Sequence, residues 1–172
     1  MERPLKNEYP DYTKIYIQQV EGDDIPVILS DQLISMKEIF EEMSDTQGLF
    51  AYKEGKWTIK EVIGHMIDTE RIMSYRALRI ARKDKMNLAG FDENFYVENG
   101  NFNIRTVQDL LEEFTHVRNA TISFARTLTP EICTYTGTAN ENLLSVSALM
   151  FIIAGHVQHH LTIVKERYLD IK

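Results

Sequence analysis

Five histidines are the residues of this sequence best suited to chemistry, and three of them, His156, His159 and His160, lie close together near its C-terminal end. Residues four apart lie on adjacent turns of one helix face, so His156 and His160 can point at a common atom, whereas His159 should face outward. Neutral imidazole is a good ligand for Zn²⁺, Ni²⁺, Cu²⁺ and Fe²⁺. The pair therefore indicates a candidate metal site. The alternative is two hydrogen-bonded histidines at the boundary of a core, because such pairs also arise by chance.

His65 is the candidate third ligand. It follows Gly64 on the margin of the apolar face of another predicted helix, where a side chain can face a groove between helices. Three protein nitrogens leave at least one coordination position open, which is typical of a reactive metal rather than a structural one. His116 lies opposite the apolar stripe of its own helix and is predicted to be solvated. The sequence positions alone do not show that His65 lies close to His156 and His160 in the fold.

The elements that must position these histidines are four amphipathic helices, predicted from apolar residues that recur every three or four positions. They are expected over about residues 24–43, 58–81, 106–128 and 145–168. Asp24, Thr58 and Thr106 have the residue types of helix N-caps, and Glu61 completes a capping box with Thr58. Trp57, just before that cap, is interpreted as the hydrophobic residue that staples the helix.

The connections complete the predicted fold. A short helix is expected around residues 11–20 and a hairpin-like loop over 134–142, with no convincing strand. The segment 82–105 is unusually long for a loop inside a compact domain, and such loops are often functional. Together these features predict an all-α antiparallel four-helix bundle with one long crossover loop and an N-terminal arm.

Composition limits the class of protein. The chain has 172 residues, 44% of them hydrophobic and 26% charged, which fits one globular domain over residues 1–172. The net charge of -7 makes nucleic acid and anionic membrane surfaces poor partners. No secretory signal or membrane-length apolar run is apparent, so a cytoplasmic protein is expected. One cysteine, Cys133, excludes an intramolecular disulfide, and no neighbouring base indicates a nucleophile there.

Several other polar residues have two interpretations. Glu70 and Arg118 both point inward, which predicts a structural ion pair within the chain or at a subunit contact, with a general base at Glu70 as the less favoured alternative. Asp68 is interpreted as a solvated or interface residue rather than a group that orients a metal-binding imidazole. The remaining candidates lie in the long segment, as solvated residues or as the lining of a substrate pocket: Asp92, Glu93, Tyr96 and Arg105.

Two long stretches of the sequence resemble the DinB-like family of four-helix-bundle proteins. One runs from Tyr52 through Gly55, Trp57 and the run Gly64-His65-Met66-Ile67-Asp68 to Arg71. The other runs from Ser145 through Gly155-His156 and His159-His160-Leu161 to Leu169, and Gly90-Phe91-Asp92-Glu93 is a shorter match. The resemblance implies that His65, His156 and His160 bind a divalent metal ion.

The resemblance also implies a range of activities. The family includes metal-dependent hydrolases, and its wider relatives include S-transferases and isomerases that use low-molecular-weight thiols. The main hypothesis is therefore an enzyme with Zn²⁺ or Ni²⁺ on the three histidines, acting on a small molecule as a hydrolase or a thiol-dependent S-transferase. The alternative is a non-catalytic metal-binding or dimerising helical module. A homodimer is expected from the family and from exposed-looking apolar residues such as Ile72 and Leu78.

Overall fold

The computed structural model describes residues 1–169, in which eight α-helices and one hairpin are joined by segments that include three short 3-10 helices. In chain order the helices are α1 (Lys14–Ile17), α2 (Ile25–Phe40), α3 (Asp45–Gly48), α4 (Ile59–Ala81), α5 (Glu93–Asn99), α6 (Val107–Ala125), α7 (Pro130–Cys133) and α8 (Val146–Ile163). Strands β1 (Thr136–Ala139) and β2 (Asn142–Ser145) precede α8, and a π-helical turn, Val164–Leu169, follows it. The predicted four long helices are α2, α4, α6 and α8.

The helix starts follow from side chains that satisfy free backbone N–H groups. The Thr58 hydroxyl accepts a hydrogen bond from the Glu61 N–H at 3.1 Å, and the Glu61 carboxylate accepts one from the Thr58 N–H at 2.7 Å. The hydroxyls of Thr106 and Ser145 accept hydrogen bonds from the N–H groups of Asp109 and Ala148 and so cap α6 and α8. Each such cap contributes about 1 kcal/mol, so local sequence sets where three of the long helices begin.

The four long helices form a ring in the order α2, α6, α4, α8, because α2 and α4 each pack on both α6 and α8. Helices α4 and α8 are antiparallel. Ile80, near the end of α4, lies against Gly137 just before α8, whereas Trp57, just before α4, accepts a hydrogen bond from Tyr168 just after α8. Helices α4 and α6 run parallel, since Lys60 and Val107, near their starts, pack around the same glycine, Gly48.

Parallel neighbours require a connection that returns along the bundle, and the crossover from residue 82 to 106 does so. It starts beside the hairpin, where the Leu88 N–H donates to the Thr138 carbonyl, and it reaches Gly64 near the start of α4 through Phe102. The four-helix bundle with one long crossover is thus confirmed. Two details of the prediction are wrong: the crossover contains helix α5, and residues 136–145 form a true two-stranded hairpin.

Helix α8 is the most deeply buried element. By length and composition alone, the segment Val146–Leu169 could cross a membrane, and it is the one such helix in the described part of the chain. However, 78% of its most apolar window is buried inside the bundle. A core helix surrounded by other helices is expected to be apolar on all sides, so burial in the bundle accounts for its composition.

A layer of buried polar groups divides the core of the bundle into two halves. One apolar cluster contains Leu29 and Ile122, and the other contains Met36 and Phe114. Between them, Arg118 Nη2 lies 2.7 Å from Glu70 Oε2, and both side chains are at most 1% exposed. The ion pair predicted from the sequence is confirmed, and it lies inside one chain rather than at its surface.

The polar layer connects all four long helices. Arg118 Nη1 on α6 donates a hydrogen bond to the Gln32 side chain on α2 at 2.9 Å, and Gln32 donates to the Ala154 carbonyl on α8 at 2.7 Å. Burial raises the pKa of Glu70 and lowers that of Arg118, while their mutual attraction opposes both shifts. Removing one partner would therefore leave an uncompensated charge in a dry environment.

We expect Arg118→Met to lower the free energy of unfolding by about 3–5 kcal/mol, because Glu70 loses its buried partner. The double variant Glu70→Met/Arg118→Met should recover most of that loss, since an apolar pair leaves no buried charge. Urea unfolding followed by circular dichroism measures both. Arg105→Met, which removes solvent-accessible ion pairs with Asp109 and Glu113, is the control and should cost about 0–1 kcal/mol. Equal losses for Arg118→Met and Arg105→Met would contradict this role.

Candidate metal centre

Three imidazoles from two helices meet inside the bundle. His65 Nε2 on α4 lies 2.9 Å from His156 Nε2 on α8, and His160 Nε2 lies 3.1 Å from the same atom. The ligand nitrogens all lie within 4.8 Å of one another, and the three residues are 5–9% exposed. The structure thus brings together the three histidines that the sequence singled out.

The antiparallel packing of α4 and α8 explains this meeting. His65 lies in the second turn of α4, and His156 and His160 lie in the last two turns of α8, so the three residues are level along the bundle. The four-residue spacing places the rings of His156 and His160 on adjacent turns, with centroids 4.5 Å apart. The ring of His65 completes the group at 4.8 Å and 4.9 Å from these two.

Two glycines let other segments close over the histidines. A Cβ atom at Gly64 would lie 2.3 Å from the ring of Phe102 in the crossover, and one at Gly155 would lie 2.0 Å from the carbonyl oxygen of Tyr16 in α1. Each glycine immediately precedes a histidine of the cluster. Both positions therefore require glycine for close approach, and the contacts cover the helix surface beside the site.

Aromatic side chains form the walls of the site. The ring of Trp57 lies 4.7 Å from that of His65, and the ring of Tyr16 lies 5.3 Å from that of His156. The Tyr168 hydroxyl donates to the Trp57 carbonyl at 2.8 Å, which ties this wall to the turn after α8. Burial, with Glu93 and Tyr12 nearby, raises the pKa of Tyr16, so its hydroxyl is protonated at neutral pH.

Burial keeps the cluster uncharged. It lowers the pKa of His65 to about 4 and that of His160 to about 3, and neighbouring imidazoles act in the same direction. The pKa of His156 lies well below its ordinary value for the same reasons, with a further contribution from Arg118. All three rings are therefore neutral at pH 7, the form of histidine that binds metal ions.

The donor set fits a divalent cation. Two imidazole nitrogens that bind one tetrahedral Zn²⁺ at about 2.0–2.1 Å lie about 3.3 Å apart. The two separations at His156 are slightly shorter than this, so small side-chain movements would admit an ion. Three neutral nitrogens supply soft to borderline ligands suited to zinc, nickel, copper or iron, and they leave coordination positions open.

The two other histidines lie outside the cluster. His116 is exposed, as predicted. His159 was expected to face outward, yet it is partly buried, because α1 and the residues just after it cover this side chain. The Tyr16 ring is 5.5 Å from that of His159, and Gln19 Nε2 lies 3.2 Å from His159 Nδ1. The apolar periodicity of α8 predicts which of its side chains face the other long helices. It does not show that the N-terminal arm also packs on this helix.

The remaining candidates have structural positions. Asp68 is partly exposed and lies 3.9 Å from Arg71, in agreement with a surface role. Asp92 caps α5, and Arg105 pairs with acidic side chains of α6. Cys133 is buried, which raises the pKa of its thiol and does not favour a nucleophile.

Sequence reasoning missed the residues that enclose the site, namely Tyr16 and Phe102, and the second role of Trp57. The signal available for the first two was the glycine before each of two histidines, since glycine inside a helix is unfavourable unless close packing requires it. Thr69, one turn after His65, was also given no role. Its hydroxyl is buried and has no hydrogen-bond partner in the described part of the chain.

Comparisons with known proteins agree with this architecture. YfiT from Bacillus subtilis, described as "a probable metal-dependent hydrolase with an unusual four-helix bundle topology", has a similar solved structure with a TM-score of 0.75. The match covers 96% of this chain and 90% of that one at 17% sequence identity, so it shows a common fold. The search of curated proteins gives no match.

The sequence pattern of the DinB superfamily matches residues 32–164, which include all four long helices from the middle of α2 onward and all three clustered histidines. This range is well over half of the chain, and the resemblance stated from two sequence stretches is confirmed. The chain belongs to the DinB superfamily.

Proposed function

We propose that this protein is a divalent-metal-dependent hydrolase that holds Zn²⁺ or Ni²⁺ on His65, His156 and His160. The observation that carries the proposal is the convergence of three neutral, buried imidazoles from α4 and α8, with no protein carboxylate among the grouped ligands. The description of YfiT as a metal-dependent hydrolase supports the same reaction class. When bound, a divalent cation with open positions acts as a Lewis acid that activates a water molecule as a nucleophile.

The surrounding residues suit a site for a small molecule. Trp57 and Tyr16 provide aromatic surfaces on two sides of the histidines, and the Tyr16 hydroxyl is protonated at neutral pH. The buried hydroxyl of Thr69 is a further hydrogen-bonding group that no described residue uses. A buried, largely apolar surface with a few polar groups is typical of small-molecule sites.

We further propose that the protein acts in the cytoplasm as a homodimer. The dimer is supported by apolar side chains that α4 leaves at the surface, where Tyr75 is 50% exposed and Leu78 is 41% exposed. Together with Val117 and Phe124 of α6, these residues line a groove that a second copy could cover.

Metal binding depends on the clustered histidines, and His159 offers a matched control on the same helix. We expect His156→Ala to reduce the affinity for Zn²⁺ by at least 100-fold, because two ligands remain, whereas His159→Ala should change it less than threefold. Competition with a chromogenic zinc chelator measures both, on protein without a histidine tag. Zinc binding that is equal in wild type and His156→Ala would contradict the proposed site.

The stability of the metal-free protein should fall as the pH falls from about 6.5 to about 4. In the folded protein the pKa values of His65 and His160 are about 4 and about 3, below the ordinary 6.5. In that window the unfolded chain binds protons that the folded chain excludes. Each such histidine therefore lowers the free energy of unfolding by about 1.4 kcal/mol per pH unit.

Urea unfolding at pH 7.5, 6.0 and 5.0 in the presence of EDTA measures this dependence. His160→Gln should have a shallower pH slope than wild type, and His116→Gln, at an exposed position, should have an unchanged slope. Identical slopes for all three proteins would contradict the lowered pKa of His160 in the folded protein.

Turnover tests the reaction class. Zinc- or nickel-loaded protein should hydrolyse an activated ester such as p-nitrophenyl acetate, and the rate should fall at least tenfold on metal removal and in His156→Ala, while His159→Ala retains it. A second assay, with cysteine and monochlorobimane, detects thiol transfer. Metal-dependent turnover in the second assay alone would contradict hydrolysis and indicate a thiol S-transferase. Bound metal without turnover in either assay would favour a non-catalytic module.

A further inference from the structure

A second feature of the molecule is a cavity between α4 and the crossover. Its volume is about 520 Å³, and its walls are mostly apolar. From α4 it is lined by Ile72 and three arginines, and from the crossover by two aromatic residues whose rings pack edge to face with centroids 5.3 Å apart. These residues are Arg71, Arg76, Arg79, Phe91 and Tyr96.

The three arginines differ in their partners. Arg71 pairs with the carboxylate of Glu113, and Arg79 pairs with that of Asp84. Arg76 has no carboxylate within 4.0 Å among residues 1–169, although acidic residues outnumber basic ones by 26 to 19 in the whole sequence. The cavity therefore contains one guanidinium whose charge no neighbouring side chain compensates.

Arg76 is also buried and held in place. The residue is 5% exposed, and its Nη2 donates to the Ala89 carbonyl at 2.6 Å, while Nη1 lies 3.5 Å from the Met73 sulfur. Its guanidinium carbon lies 5.8 Å from the centre of the Phe91 ring. Burying a charge without an opposite charge is unfavourable, so a position of this kind favours the binding of an anion.

The cavity lies on the same face of α4 as the histidine cluster. Ile72 and Arg76 are seven and eleven residues beyond His65, close to two and three whole turns, so their axial distances from it are about 10 and 17 Å. Phe102, later in the crossover, packs against Gly64, the residue before His65. The crossover therefore borders both the cavity and the metal centre.

We propose that this cavity binds the carboxylate group of a small amphipathic molecule, with Arg76 as the residue that recognises the anion. One uncompensated guanidinium matches one negative charge, and its planar fork suits a carboxylate. Ile72, Phe91 and Tyr96 would contact the apolar body of the molecule. The idea that this molecule is also the substrate of the metal centre rests on the proposed function. The binding of the molecule in the cavity does not depend on that function.

The test compares 4-phenylbutyrate with its neutral analogue 4-phenylbutanamide on metal-free protein in EDTA, so that no carboxylate can bind a metal ion. Dissociation constants come from titrations followed by NMR, which also locates the probe through the signals of Ile72 and Phe91. We expect the carboxylate to bind wild type at least tenfold more tightly than the amide. Arg76→Gln should remove this preference, Arg76→Lys should retain part of it, and Arg79→Gln, whose arginine is already paired, should change it less than threefold.

Equal binding of the two probes by wild type, or no binding of the carboxylate, would overturn the proposal without any variant being needed. A preference that survives in Arg76→Gln, or that disappears equally in Arg79→Gln, would overturn the role of Arg76. If Arg76→Gln does not fold, the wild-type comparison and Arg76→Lys decide. Because the protein is metal-free, failure here leaves the metal centre intact, and failure of zinc binding leaves the cavity intact.

Discussion

The buried contact between Arg118 and Glu70 is the interaction on which the arrangement of the bundle depends. Through Gln32 and the Ala154 carbonyl it joins the four long helices at one level, between two apolar halves of the core. Apolar side chains alone would allow helices to slide or rotate at modest cost, whereas a buried charge has one acceptable partner. These contacts fix the position of α8 relative to α4 at Ala154, which is only two residues before the metal ligand candidate His156.

The same layer has an electrostatic consequence for the histidines. Arg118 lies close enough to His156 to lower its pKa further, so a lone guanidinium there would disfavour any cation in the cluster. Glu70, in contact with Arg118, balances that charge. The carboxylate that looked like a possible catalytic base therefore acts as the counter-charge of an arginine, and the cluster is left as three neutral nitrogen donors. Neutral donors with no competing protein charge suit a divalent ion with open positions.

Much of this structure could be predicted from the sequence. The apolar periodicity and the caps at Asp24, Thr58 and Thr106 give the long helices, because these signals are local. Candidate metal ligands follow from the four-residue spacing of His156 and His160 and from the place of His65 at the edge of an apolar helix face. The family resemblance selects the same three histidines. Inward-pointing Glu70 and Arg118 give the ion pair, since two opposite charges in one core must meet.

Other features depend on contacts between distant segments, which no local pattern specifies. The hairpin over residues 136–145 and helix α5 are short, and their flanking glycines and asparagines are equally typical of loops. The parallel packing of α4 and α6 follows from the path of the crossover, and the partial burial of His159 follows from the docking of the N-terminal arm on Gly155. No local pattern shows that Arg76 is buried without a carboxylate partner, because an arginine on a helix normally faces solvent.

The most direct measurement of the central claim is X-ray absorption spectroscopy of the protein loaded with one equivalent of Zn²⁺. This account predicts a first shell with three imidazole nitrogens at about 2.0–2.1 Å and at least one further light ligand from solvent. A shell with fewer than three imidazoles would contradict it, as would one unchanged in His65→Ala, because the convergence of α4 and α8 on one cation would then be absent.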